Sequence, residues 1–149
     1  GPGTLSDFLH IRVLDCWVHE QDMRRAVGRP GHLGGPAAEH TVDRLIRTIP
    51  IVVGKRAATP EGASVVVDIT TDPVHGGVSR HIVCTVTGGR AGISDTESDA
   101  VLARLSMDTE TFLVLATGRR PFTDVQDRVT LSGDREHGRK VAEALNMMI

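Results

Sequence analysis

Aromatic side chains are scarce in this sequence of 149 residues, which has no tyrosine and in which phenylalanine and tryptophan together make up 3%. The chain therefore has few rings on which nucleobases could stack. Its formal net charge is −2, whereas nucleic-acid binding normally needs a basic surface that displaces phosphate counterions. Both properties argue against a nucleic-acid partner.

Cysteine is nearly absent, with Cys16 and Cys84 as the two thiols. Two cysteines without a regular spacing cannot form a secreted disulfide framework or a cysteine-based zinc site. We expect both thiols to be reduced and buried in a cytoplasmic protein. No apolar run approaches the roughly 18 residues of a membrane span, and no charged-then-apolar leader resembles a signal peptide.

The sequence starts with Gly-Pro-Gly rather than methionine. Two interpretations stay open: a cleavage scar, or a sequence that begins partway through a larger protein. The length fits one average domain, or a small domain with a helical attachment. Apolar residues make up 40% and charged residues 24%, which is typical of a globular protein.

Two helices are predicted in the first third of the chain. From Leu5 to about Val27 apolar residues recur at three- and four-residue steps, and Ser6 or Asp7 could cap this helix. The stretch GRPGHLGGP, residues 28–36, follows it as a connector because glycine and proline end helices. A second helix is predicted over 37–48, with Pro50 just beyond its end.

Runs rich in β-branched residues begin after position 62 and indicate strands. The predicted strands cover residues 63–70, 78–86, 90–94, 101–107 and 128–133. Asp108 is expected to cap a helix that reaches about Thr117, and Asp134 a final helix. The order predicts an α+β fold: two N-terminal helices, then a small, mostly antiparallel sheet with helices packed on one face.

A polar stretch of the first helix, LDCWVHEQD, raises the question of a metal site. It places Asp15, His19 and Asp22 at helical spacings i, i+4 and i+7, so all three side chains share one face. Two interpretations are open for this face: part of a metal site, or a solvated polar surface. Within the metal interpretation, Asp22 is either a group that orients the imidazole or a surface carboxylate.

A third ligand for such a site is not obvious, although a catalytic metal needs about three protein ligands. His10 lies five residues before Asp15, about 140° around the helix, and cannot easily complete the site. His40 could do so only if the second helix folds back on the first.

Histidines elsewhere need no function to explain them. We expect His32, His75 and His137 to be exposed in loops or at the start of a helix, and His81 to point outward from its strand. No catalytic residue is assigned from the sequence.

Three stretches resemble a known family. DCWVHEQDMRRAVGRPG resembles the last helix of the DinB-like domain in mycothiol-dependent maleylpyruvate isomerases and their actinobacterial relatives. MDTETFLVLATGRR and VTLSGDREHGRKVAEALNMM resemble the small carboxy-terminal domain of those proteins, which is related to the sterol-carrier-protein-2 fold. The resemblance implies a carboxy-terminal portion of a two-domain protein, or a truncated relative. Residues 1–36 would then be the terminal helix of a metal-binding domain with its linker, and 37–149 a sterol-carrier-like domain.

The resemblance also implies cofactors. Active family members hold a divalent metal, usually zinc, between an early histidine and a carboxylate–histidine pair, which maps onto Asp15 and His19. The isomerase has glutamate where this chain has Asp15, and the early histidine would lie upstream of Gly1. The first function hypothesis is thus a fragment of a zinc-dependent, mycothiol-using isomerase or thiol transferase acting on a small electrophile. The metal would lower the pKa of the bound thiol.

The alternative hypothesis is a noncatalytic sterol-carrier-like accessory or hydrophobic-ligand-binding module. A third is a scaffold that has lost its relatives' chemistry. The residues that could line a lipid cavity are Leu113, Leu115, Val141, Leu145, Met147, Met148 and Ile149. Ordinary core packing explains the same spacings, because a domain near 90 residues has little core to spare. A homodimer through the apolar stripe of the first helix is a further prediction, since a lone amphipathic helix needs a partner surface.

Overall fold

Helices stand at both ends of the chain and between its last strands in the computed structural model, which describes residues 3–148. The helices are α1 (Leu5–Ala26), α2 (Pro36–Ile46), α3 (Ile49–Ile51, continued by a π-helical turn, Val52–Arg56), α4 (Thr109–Ala116), α5 (Phe122–Val125, followed by a 3-10 turn, Gln126–Arg128) and α6 (Arg135–Glu143). None of these described helices combines the length and the apolar character needed to cross a membrane.

The strands form one five-stranded sheet in the order β3-β2-β1-β4-β5. They are β1 (Ser64–Thr70), β2 (Arg80–Thr87), β3 (Arg90–Ser94), β4 (Val101–Asp108) and β5 (Thr130–Gly133). The central strands β1 and β4 pair in parallel, and every other pairing is antiparallel. This arrangement confirms the predicted α+β class and its mostly antiparallel sheet.

One face of the sheet is apolar and carries the helices. Val67 of β1, Cys84 of β2 and Leu105 of β4 are fully buried, in one cluster with Phe112 of α4 and Val141 of α6. Alternation along a strand sends neighbouring side chains to opposite faces. The other face accordingly bears the charged network of Asp68, His81, Glu97 and Arg104.

The helix α1 enters the core of the fold mainly through its second half. Trp17 and Val18 are buried in the main core cluster, and the Trp17 indole N–H donates a hydrogen bond to the carbonyl oxygen of His32, at 2.9 Å. Phe8 and Leu9, in the first half, are exposed. The division of the chain at residue 36 into two units stays a prediction.

Caps explain where several helices begin. Asp108 and Asp134 cap α4 and α6 as predicted. The cap of α1 is Thr4, not Ser6 or Asp7: Thr4 Oγ1 accepts a hydrogen bond from the Asp7 backbone N–H. The Asp7 carboxylate accepts the Thr4 backbone N–H in return, at 2.8 Å. This reciprocal capping box satisfies two donors that the helix leaves unpaired, which explains why the helix starts two residues earlier than a cap at Ser6 would place it.

Candidate functional site

The predicted metal ligands lie on one face of α1 but do not converge on one point. His19 Nε2 is 3.3 Å from Asp15 Oδ1, and His19 Nδ1 is 3.4 Å from Asp22 Oδ2. The imidazole lies between the two carboxylates, and its two nitrogens point in diverging directions, one toward each carboxylate. Over residues 3–148 no group of three or more His, Cys, Asp or Glu side chains is arranged to hold a metal ion. Metal binding by Asp15 and His19 stays a prediction.

Arginines are the closer partners of both carboxylates. Asp15 accepts a hydrogen bond from Arg12 at 2.9 Å, and Asp22 pairs with Arg25 and with Arg119 of the turn after α4. The Arg119 guanidinium lowers the pKa of the Asp22 carboxyl, an effect that outweighs the desolvation by burial that opposes it. Asp22 therefore serves first as an ion-pair partner that fastens α1 to the rest of the fold.

His40 does not complete the predicted site. The helix α2 folds back on α1, as that interpretation required, but His40 meets His10 there. His10 Nδ1 and His40 Nε2 are 3.1 Å apart. The two histidines thus form a separate pair, about one to two helical turns from Asp15 along α1.

The cysteines differ in exposure. Cys16 is exposed, so the prediction that it is buried beside Trp17 was wrong. Successive helical residues are about 100° apart, and turning Trp17 into the core turns Cys16 away from it. Cys84 is fully buried as predicted, and burial raises the pKa of its thiol to about 11. It cannot act as a thiolate near neutral pH.

The prediction that His137 is exposed was wrong. His137 is buried at the start of α6, where its Nε2 lies 2.8 Å from Thr59 Oγ1. Its backbone position at the helix start is as expected, but the loop before β1 covers its ring. His32, His75 and His81 are exposed, as predicted.

An open groove of about 700 Å³ lies between α5, β5 and α6, and we call it the α5–α6 groove. Its apolar lining consists of Phe122, Val129 and Leu131. Its remaining lining is polar or charged: Gln126, Asp127, Arg135, Glu136, Arg139, Lys140 and Glu143. An apolar floor with a charged rim fits a molecule that has an apolar body and a polar end.

The groove exists because α6 packs closely on the sheet and turns its polar side outward. A Cβ atom on Gly138 would lie 3.2 Å from Leu131 Cδ2, so glycine at this position lets the helix approach β5. Val141 and Leu145 are buried beneath α6 while Lys140 is exposed. The amphipathic helix thereby supplies one wall and most of the charges of the groove.

The rim carries both signs of charge. Arg139 donates a hydrogen bond to Glu143 at 2.8 Å, and its guanidinium carbon lies 5.9 Å from the centre of the Phe122 ring. In the described part of the chain, neither Arg135 nor Lys140 forms an ion pair. These two cations are therefore available to a bound anionic group.

The apolar residues considered for a lipid cavity form ordinary core instead. Leu113, Leu115, Val141 and Leu145 are buried in the main cluster, Met147 is partly buried and Met148 is exposed. Ile149 lies outside the described residues. The groove residues Phe122, Val129 and Leu131 were not identified from the sequence. The one signal available was the pair Phe122 and Val125, three residues apart after Pro121, which is typical of a short amphipathic helix.

A smaller cavity of about 300 Å³ lies where the end of α1 meets the start of α4. It is lined by Gln21, Arg24, Arg25, Gly28, Pro30, Leu33, Asp72, His75, Asp108 and Glu110. The ion pair between Arg25 and Glu110, at 2.9 Å, lies at this cavity. This ion pair joins the end of α1 to the start of α4 across the cavity.

Comparison with known proteins gives a fold but no family. No protein-family model matches the sequence, and no curated protein sequence matches it either. The solution structure of palmitated SCP2L2 from Aedes aegypti is similar, with a TM-score of 0.51 and 18% identity over 72% of this chain and 96% of that chain. The chain thus has a sterol-carrier-protein-2-like fold, as the carboxy-terminal part of the sequence resemblance implied.

Two further solved structures are similar at lower scores. The crystal structure of sterol carrier protein 2 like 2 from Aedes aegypti has a TM-score of 0.47 and 20% identity, covering 68% of this chain and 94% of that chain. The apo form of sterol carrier protein 2 from Yarrowia lipolytica has a TM-score of 0.46 and 12% identity, covering 72% and 92%. Membership of the maleylpyruvate isomerase family stays a prediction.

Proposed function

We propose that this chain is a binding module for a small amphipathic molecule, with an acyl chain held in the α5–α6 groove. The observation that carries this proposal is the apolar floor of the groove beneath a charged rim. The similar fold of a protein described as palmitated supports the choice of an acyl chain. This proposal is the hydrophobic-ligand-binding alternative that the sequence left open, with a location and a ligand class added.

The size and lining of the groove support the proposal. Pockets of roughly 300–1,000 Å³ are typical of small-molecule sites, and the α5–α6 groove measures about 700 Å³. Each methylene that leaves water for the floor formed by Phe122, Val129 and Leu131 contributes about 0.8 kcal/mol. An acyl chain that covers the floor therefore gains affinity without any change in the fold.

The charged rim orients the ligand. Arg135, which forms no ion pair with a described residue, lies one helical turn before Arg139 on the same face of α6. A carboxylate placed there accepts hydrogen bonds from guanidinium groups. Asp127 and Glu136 carry the opposite charge on the same rim. The positive and negative charges of the rim thus balance. The rim therefore sets the direction in which the ligand lies, and it does not supply most of the affinity.

A displacement titration tests this proposal. Cis-parinaric acid, a fluorescent acyl probe, is added to the chain in EDTA and then displaced with palmitate or with hexadecanol. We expect saturable binding, displacement by both compounds, and tighter binding of palmitate. The substitution Leu131→Lys places a charge in the floor and is expected to weaken binding at least tenfold, since burying an unpaired charge is costly.

A matched control and a clear contrary result complete the test. Val74 is 81% exposed in the turn between β1 and β2, and Val74→Lys adds the same charge away from the groove. Circular dichroism establishes that both variants are folded. Absence of saturable binding to the parent chain, or equal affinity in Leu131→Lys, contradicts the proposal.

The enzymatic hypothesis keeps the status of a prediction. A zinc- and mycothiol-dependent isomerase or transferase, acting on an electrophile or a thiol, rests on the resemblance and on Asp15 and His19. No contact between described residues favours it over a polar helix surface. The homodimer is likewise a prediction. The exposed side chains of Phe8 and Leu9 favour it.

A further inference from the structure

We propose that His10 and His40 together chelate one divalent transition-metal ion that bridges α1 and α2. This site is separate from the pair Asp15 and His19 and from the α5–α6 groove, and it does not depend on the proposed acyl-chain binding. Three properties of the pair support this site: the spacing of the two nitrogens, the elements that hold them, and the chemistry of imidazole.

The spacing of the two nitrogens is close to that of neighbouring ligands on a metal. His10 Nδ1 lies 3.1 Å from His40 Nε2. Two Zn–N bonds of about 2.0–2.1 Å that meet at the tetrahedral angle place their nitrogens about 3.3–3.4 Å apart, a few tenths of an ångström more than in this pair. The ring centres are 4.6 Å apart and the ring planes are inclined by 39°. The rings thus need only a small reorientation, not a movement of the helices, to direct both lone pairs at one ion.

The two histidines come from different helices that are packed together. His10 lies in the exposed first half of α1, and His40 in the second turn of α2 is half-buried. Their contact spans 30 residues of sequence. The helices are held in place by the burial of Trp17 on α1 and of Val42 on α2. A metal ion at this point would therefore tie the exposed half of α1 to α2.

The proton between the two imidazoles stays on the pair when an ion binds. In neutral form, one of the two imidazoles donates its N–H to the other, so a single proton lies between the two nitrogens. When a divalent ion binds there, this proton moves through solvent to the other nitrogen of the donor ring, so each ring keeps its one N–H and the neutral pair releases no net proton. The two lone pairs that now face the ion replace two of its bound water molecules. Because metal ligands must be deprotonated, binding should weaken as the pH is lowered.

Charges beside the pair set the environment of the ion. Asp7 lies one turn before His10 on α1, and Arg44 lies one turn after His40 on α2. The hydrogen bonds to Thr4 lower the pKa of the Asp7 carboxyl most, and the charges of His10 and Arg44 lower it further. Asp7 and Arg44 are therefore close enough to the pair to act on it electrostatically. Their opposite charges offset each other, so the imidazoles decide the choice of ion.

Imidazole selects the class of ion. Nitrogen ligands favour Cu²⁺, Ni²⁺ and Zn²⁺ over Mg²⁺ and Ca²⁺, which take oxygen ligands. Two protein ligands leave the other coordination positions to water, which the exposed position of His10 allows. We therefore expect weaker binding than at a four-ligand structural site, with nickel and zinc bound and magnesium not bound.

Calorimetric titration with Ni²⁺ alone tests the site on the full chain without a histidine tag. We expect one equivalent at pH 7.5, with an affinity at least tenfold lower in His10→Ala and in His40→Ala. The matched control is His75→Ala, which removes another exposed histidine, and it should leave the affinity unchanged. His19→Ala should also leave it unchanged.

Several outcomes overturn the proposal. It fails if the parent chain binds no more Ni²⁺ than the His10→Ala, His40→Ala double variant. It also fails if His19→Ala or His75→Ala loses as much affinity as the two single variants of the pair. Native fluorescence of Trp17 in every variant establishes that a loss of binding is not a loss of fold.

A second measurement does not depend on affinity. Because the ion ties α1 to α2, Ni²⁺ should slow backbone hydrogen exchange in residues 5–13 of the parent chain and have no effect there in His40→Ala. Slowed exchange in both proteins, or in neither, overturns the bridging site.

Discussion

Asp22 of α1 and Arg119 of the turn after α4 form a two-point ion pair across 97 residues of sequence. Arg119 Nε donates to Asp22 Oδ1 at 3.2 Å, and Nη2 donates to Oδ2 at 3.1 Å. The pair joins the N-terminal helix to the part of the chain that follows the sheet. It uses Asp22, one carboxylate of the polar face on which a metal site was predicted, as a structural attachment.

Loss of this pair should lower stability in a pH-dependent way. The pKa of Asp22 is lowered from its ordinary value of 3.8 in the folded chain, chiefly by the hydrogen bond to Arg119. Its stabilising effect is therefore fully present above that value and is lost as pH falls through the lower, folded-state pKa. We expect Asp22→Asn to reduce the free energy of unfolding by about 1 kcal/mol at pH 7. Charged hydrogen bonds contribute about 1.5–3 kcal/mol, and partial exposure reduces this.

Urea denaturation at pH 7 and at pH 3 measures this effect. The difference between the parent chain and Asp22→Asn should shrink at pH 3. Asp15→Asn is the control, because Asp15 forms an exposed pair with Arg12 that contributes little. A difference of the same size at both pH values would refute the assignment.

Trp17 offers a test of whether the first helix unfolds with the sheet. It is the single tryptophan and is 2% exposed within the main core cluster. Because it shares that core with the strands, we expect its fluorescence and the far-ultraviolet circular dichroism to change at the same urea concentration. Two separate transitions would instead favour the predicted division of the chain at residue 36.

The two thiols should react at different rates. Cys16 is exposed, while burial holds the pKa of Cys84 at about 11. Since the thiolate is the reactive form, the Ellman reagent should modify one thiol in the native chain and two in guanidinium chloride. Cys16→Ser should abolish the native reaction. Rapid modification of two thiols in the native chain would contradict the burial of Cys84.

Homodimerisation through the first half of α1 makes a sharp prediction for light scattering. Phe8 and Leu9 are exposed, and contiguous apolar surface commonly marks an interaction site. A dimer of the parent chain should become a monomer in Phe8→Glu, Leu9→Lys. Met23→Lys, which changes an exposed residue farther along α1, should leave the dimer intact. A parent chain that is monomeric at all concentrations would exclude this interface.

The sequence predicted helices and strands well where residues that are close in sequence determine them. Strand β4 alternates buried and half-buried positions, and β1 and β2 do so near their C-terminal ends. The predicted bounds of these three strands differ from the observed ones by at most two residues. The caps Asp108 and Asp134 bond to backbone groups three residues away. Such contacts depend on the neighbouring sequence alone, which explains why they could be predicted.

Other features depended on distant contacts and were missed. Pro50 was expected after a helix end but lies inside the first turn of α3, where proline is tolerated. The π-helical turn that follows brings Gly54 so close to β3 that an added Cβ would lie 2.9 Å from Ala91 Cβ. The burial of His137 depends on Thr59, 78 residues away. No local pattern encodes these approaches.

The candidate sites show the same difference between features that neighbouring residues determine and features that depend on distant contacts. Asp15 and His19 share a helix face as their spacing predicted, whereas the pair His10 and His40 required two helices to meet. The α5–α6 groove required the last strand and the last helix to pack beside α5. Sequence spacing identifies residues on one element, but a site formed between elements depends on how those elements pack.

The parallel pairing of β1 with β4 sets the order in which the chain can acquire its fold. Ser64 pairs with Val101 and Thr70 with Asp108, so the central pair of the sheet cannot close during synthesis until residue 108 has emerged. Pairings that are this distant in sequence slow folding, because the loop between them must be ordered first. The groove, formed by residues 122–143, would be completed after this central pair, so a nascent chain would lack the proposed acyl-chain site until α6 docks.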